Sequence, residues 1–194
     1  MTRLFFAAVA ATALFSTAAF AHPGVGAHAM GFAAGFGHPF GGLDHILAMT
    51  GLGLWAAGYT GRARYALPLA FIVGMIAGGI LGMTGVSLPM VEVGIAGSIV
   101  AVGVLIALGA RLPVMLATVG AFAFAVFHGH AHGTEMAAGA SAALYGLGFV
   151  AATALLHAVG LAIGIAASHP RLTGLARAAG AAVAAAGLGL LAAS

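Results

Sequence analysis

Lysine and cysteine are both absent from this 194-residue sequence, and it contains only three acidic residues. Without lysine there is no Walker A motif, so transport driven by an ATP site of that kind within the chain is excluded. A retinal-type Schiff base is excluded on the same ground. Without cysteine there are no disulfides, thiolate metal sites or iron–sulfur clusters. Charged residues make up 5% of the chain, whereas a soluble domain carries about 25%. With 63% hydrophobic residues and a mean hydropathy of +1.18, the surface cannot face water all round, and the chain reads as an integral membrane protein. The net charge of +3 rests on six scattered arginines, which form no basic patch and argue against nucleic-acid binding. Histidine is plentiful, with nine residues.

The N-terminal MTRLFFAAVAATALFSTAAFA has a positive Arg3, an apolar run from Leu4 to Phe15 and a small-x-small Ala19-Phe20-Ala21. That pattern predicts a cleaved secretory signal peptide over 1–21, with an uncleaved signal anchor as the alternative. The expected domain organisation is this signal followed by a single transmembrane domain over 22–194. A membrane helix needs about 20 mostly apolar residues. Such stretches predict an all-α, polytopic bundle of about six helices near 38–58, 65–83, 91–110, 112–131, 137–166 and 174–193. Small-xxx-small spacings, Gly74/Gly78/Gly82 and Gly160/Gly164, suit close helix packing in lipid.

Arg62, Arg64, Arg111 and Arg171 fall in loops on one side of that bundle, and Arg177 in the first turn of the last span at the same side, which the positive-inside rule makes cytoplasmic. The expected location is therefore the bacterial inner membrane, with the mature N-terminus outside. All three carboxylates and seven of the nine histidines then gather at the periplasmic face. Ionisable groups at membrane depth cost about 2.5–3.5 kcal/mol each on insertion scales, which makes them functional candidates.

Two stretches carry most of them. In HPFGGLDH, residues 38–45, Pro39 suits a first helical turn. On a regular helix His38 and His45 lie about 10 Å apart, too far for one metal unless the proline and the glycines at 41 and 42 bend the chain. Asp44 is placed to hold an imidazole in its ligating tautomer. The bland reading is a helix cap with an interfacial histidine pair. In FHGHAHGTE, residues 127–135, helical spacing puts His128, His132 and Glu135 on one stripe and points His130 away. Two imidazoles at i, i+4 can chelate one ion, with the carboxylate closing the set; the bland reading is a polar loop. Imidazole plus carboxylate without sulfur suits Ni²⁺, Co²⁺, Zn²⁺ or Cu²⁺.

The secondary candidates are His22, His28, His130 and His157. His22 and His28 read as a metal-capturing tail or a non-essential one. His157, inside a span, reads as a way station for an ion or as a packed residue bonded to a carbonyl. Glu92 lines a vestibule or sits at the water interface, and His169 belongs to a loop. A serine hydrolase built on Ser141 and His157 fails on distance, about 24 Å along one helix, and no enzymatic activity is expected.

His38, five residues, then Asp44-His45 resembles the first signature of the HupE/UreJ family of nickel permeases. FHGHAHGTE resembles its second, Phe-His-Gly-x-Ala/Val-His-Gly-x-Glu, with His130 in the variable position. The resemblance implies nickel transport into the cytoplasm for hydrogenase or urease maturation, with cobalt as the next ion. It also implies a functional set of His38, Asp44, His45, His128, His132 and Glu135, no permanent cofactor and a functional link to nickel chaperones. Two alternatives stay open: a non-transporting metal sensor or maturation partner, and a b-type cytochrome with histidine-ligated haem.

Overall fold

The computed structural model describes residues 31–136 and 140–194. The expected signal peptide, His22 and His28 lie outside the described residues.

Seven α-helices make up the described chain: α1 (Phe32–Gly37), α2 (Leu43–Ala56), α3 (Ala63–Met83), α4 (Val91–Leu108), α5 (Val114–Glu135), α6 (Ala140–Ala167) and α7 (Thr173–Ala193). A 3₁₀ turn, His38–Phe40, separates the first two. Helices α3 to α7 are each long and apolar enough to cross a membrane. No strand occurs among the described residues. The fold is an all-helical membrane bundle.

The expected first span over 38–58 is instead divided. Pro39 lies in the 3₁₀ turn, and Gly42 has an extended backbone (φ −111°, ψ 128°), so the α-helical ladder restarts only at Leu43. Helix α2 is 14 residues long, about 21 Å at 1.5 Å per residue. The second histidine stretch also differs from a loop between spans. Helix α5 continues to Glu135, so His128, His130 and His132 all project from its last turns.

In lipid there is no hydrophobic drive between helices, so association depends on close packing of small residues. Helix α3 packs along α5, α4 along α7 and α2 along α6. In the first pair Gly74, Gly78 and Gly82 meet the α5 backbone, as their spacing predicts. The contact is so close that a Cβ at Gly129 would collide with the Met75 carbonyl. Met49, Leu52, Leu67, Phe71 and Phe149 form the interior, while Leu69, Val73, Ile76 and Ile80 of α3 face outward. An apolar exterior is what a lipid-facing surface requires.

The ends of the bundle differ chemically. At one end the Tyr59 hydroxyl donates to the Leu112 carbonyl at 2.9 Å, and Trp55 Nε1 donates to the Ala110 carbonyl at 3.1 Å. These bonds join the α2–α3 and α4–α5 loops, bringing Arg62 and Arg64 to the same end as Arg111. The Arg177 guanidinium lies beside Gly109 at that end. Gly109 closes α4 with φ 64°, a left-handed conformation that favours glycine. The other end carries His38, His45, His128, His130 and His132.

Candidate metal site

The break at Gly41–Gly42 brings His38 back over the start of α2. The His38 and His45 ring centroids are 5.3 Å apart, about half the separation a regular helix would give. The bend required by the sequence for a shared metal is present. Gly42 is also required by crowding, since a Cβ there would run into the Asp44 carboxylate and the His45 ring.

Helix α5 supplies the opposite wall. His132 lies 4.8 Å from His38 and 4.6 Å from His45, centroid to centroid. His45 Nε2 and His132 Nε2 approach to 2.5 Å. Ligating atoms of His38, His45 and His132 all lie within 4.8 Å of one another, and so do those of Asp44, His45 and His128. Two three-ligand groups therefore share His45. His128 and His132 were expected to chelate one ion together along a single stripe; here they fall into different groups, because His45 of α2 stands between them.

The carboxylates stand behind the imidazoles. His45 donates Nδ1–H to Asp44 Oδ1 at 2.7 Å, which leaves the Nε2 lone pair facing the site, the usual arrangement of a metal-ligating histidine. Glu135 stands more loosely behind His132, its Oε2 4.0 Å from Nδ1, with a side chain 66% exposed. It belongs to neither three-ligand group. Glu92, at the start of α4, is exposed and also outside both groups.

His130 points away, as its spacing predicts. Its Nε2 donates to the Val86 carbonyl at 2.7 Å, tying α5 to the α3–α4 loop. His157 is buried in α6, and neither ring nitrogen has a hydrogen-bond partner. The expected alternative of a carbonyl bond is therefore not what this ring makes. His128 is likewise fully buried with both ring nitrogens unpartnered, although the second group gives it ligating neighbours.

Sequence reasoning missed the aromatic floor. Phe149 lies 4.7 Å from His132, 5.8 Å from His38 and 6.0 Å from His45, and Tyr145 lies 5.9 Å from His38. The i, i+4 spacing of Tyr145 and Phe149 was visible, but nothing in one helix identifies the rings it will meet. Chemically the site offers four imidazoles and one half-buried carboxylate, without sulfur, a donor set for borderline divalent transition ions.

A family model described as "HupE / UreJ protein" matches residues 9–190. The chain belongs to the HupE/UreJ family. That match spans both histidine stretches and every helix of the bundle apart from the last residues of α7. "Protein HupE" of Rhizobium leguminosarum bv. viciae is 46% identical over 147 residues, covering 76% of each chain. No solved structure matches this chain. Among the described residues, this HupE/UreJ chain thus brings His38, Asp44, His45, His128 and His132 together and leaves Glu135 at the rim.

Proposed function

We propose that this HupE/UreJ protein is a permease that carries a divalent transition cation, nickel foremost and cobalt next, into the cytoplasm for hydrogenase or urease maturation. One observation carries the reading: imidazoles from the 3₁₀ turn, α2 and α5, together with Asp44, form two three-ligand groups that share His45. In this reading the histidine end faces the periplasm and the arginine end the cytoplasm, in keeping with the positive-inside rule.

The hydrated ion exchanges water for imidazole in two adjoining shells that share His45. Asp44 offsets its charge and fixes the ligating tautomer. A divalent ion moving inward gains about 4.6 kcal/mol at 100 mV, twice the single-charge figure, so the membrane potential is a sufficient drive. Binding has to remain modest, because a site that holds its ion too tightly cannot release it. Capture by nickel chaperones inside would keep the gradient inward.

The test is metal accumulation in cells expressing the wild type or a His45→Ala/His132→Ala double variant, with nickel, cobalt, zinc and copper compared. Nickel accumulation above the vector control, lost in the double variant, is the expected result. Equal nickel uptake with and without the intact protein overturns the permease reading. A protein that binds nickel without altering accumulation would instead be a sensor or maturation partner. A response to copper or zinc alone would overturn nickel as the cargo.

A further inference from the structure

Below the histidine cluster, one face of α6 carries Phe149, Thr153 and His157 at i, i+4, i+8, all buried. Phe149 is the floor of the cluster. Thr153 donates to the Phe149 carbonyl at 2.9 Å, and its hydroxyl lies 3.7 Å from the Met75 sulfur. A groove lined by His132, Phe149 and Met75 runs beside this first step and opens on the flank of the bundle past Ile76 and Ile80. His157 follows, about 12 Å below Phe149 along the helix axis. Its ring meets Phe71 edge-on at 5.1 Å, and Phe71 in turn lies 6.0 Å from His128.

His157 is 2% exposed, and neither of its nitrogens has a partner. An imidazole buried without partners is costly, and more so at membrane depth. An apolar side chain of the same volume would fill the space against Phe71 without that cost. Its backbone role is separate, since the close approach of Gly53 is to the His157 carbonyl. The side chain therefore offers a free nitrogen lone pair on the line leading from the cluster toward the arginine end. A single imidazole with few co-ligands binds weakly, which suits a site that must pass its ion on.

We propose that His157 is a second, inner station that holds the divalent cation transiently through one imidazole nitrogen after it leaves the outer cluster. This rests on the permease reading above. Leucine at 157 keeps the bulk and removes the nitrogen, whereas glutamine keeps a donor atom in its amide oxygen. The full-length purified protein is tested in two assays: nickel influx into proteoliposomes, and Co²⁺ binding followed by visible absorption.

His157→Leu is expected to lower initial influx by about tenfold, with Co²⁺ affinity at the outer cluster held within about threefold of wild type. His157→Gln is expected to keep about a third or more of the wild-type influx. Leucine influx within about twofold of wild type would overturn the station. Equal impairment of the leucine and glutamine variants, or loss of Co²⁺ binding in the leucine variant, would assign His157 to packing and overturn it too. The His45→Ala/His132→Ala pair separates the two claims. If liposomes holding the wild type take up nickel no faster than protein-free ones, the permease reading itself falls; if the double variant is dead while His157→Leu is normal, only the inner station falls.

Discussion

The Asp44 carboxylate accepts a hydrogen bond from His45 Nδ1–H at 2.7 Å, and the opposite nitrogen of the same ring meets His132 Nε2 at 2.5 Å. One imidazole thus joins a carboxylate on α2 to a histidine 87 residues away on α5. The first contact sets its tautomer, and the second brings the two histidine stretches together. Without the carboxylate the ring loses both its orientation and part of its basicity. Asp44→Asn keeps the volume and removes the charge, and is expected to weaken Co²⁺ or Ni²⁺ binding by about 10–100-fold, as for other partners of ligating histidines. Titration of the purified protein checks this; unchanged affinity would detach Asp44 from the site.

Glu135 stands behind His132 in the same sense but at 4.0 Å, and two-thirds of its side chain is exposed. An exposed carboxylate acts on an approaching cation through its field, which salt screens. Glu135→Gln should therefore slow nickel capture a few-fold at low ionic strength while changing equilibrium affinity less than Asp44→Asn does. Initial uptake rates measured at low and high salt give the comparison. A deficit in Glu135→Gln that persists at high salt would mean direct ligation instead.

Much of the bundle was legible because hydrocarbon thickness sets helix length, and the five long helices lie close to the stretches read from hydropathy. The bend at His38 was legible as a condition: Pro39 and the glycines at 41 and 42 marked the place where a regular helix would have kept His38 and His45 apart. What could not be read was register between helices. Spans that are apolar on every side carry no stripe to say which face turns inward. The pairing of His45 with His132, the separation of His128 from His132, and Phe149 beneath them all depend on that register. His130 was the exception, since spacing within α5 alone turns it away from its neighbours.

His130 is the natural control for the ligands. It shares α5 with His128 and His132, yet its Nε2 bonds the Val86 carbonyl at 2.7 Å and it belongs to neither metal group. His130→Ala removes that bond and leaves a carbonyl of the α3–α4 loop without its donor. The expected cost is about 1–3 kcal/mol of stability, read as a lower thermal midpoint in detergent. Metal affinity should stay within about twofold of wild type. A large loss of Co²⁺ binding in a folded His130→Ala protein would bring this ring into the coordination sphere.

Two glycines of α5 separate packing from helix propensity. A Cβ at Gly129 would strike the Met75 carbonyl, whereas a Cβ at Gly120 meets nothing within 4 Å. Both are helical, so alanine carries the same intrinsic advantage at each, about 1 kcal/mol at most in a soluble helix. At Gly129 the collision is with backbone, which cannot rotate away, and α3 and α5 have to move apart. Overpacking of that kind costs about 1–3 kcal/mol, and it would also displace His128 and His130 on either side. Gly129→Ala should therefore lower the thermal midpoint and weaken Co²⁺ binding together, while Gly120→Ala leaves both near wild type. Equal behaviour of the two variants would mean that α3 and α5 do not meet backbone to backbone beside the site.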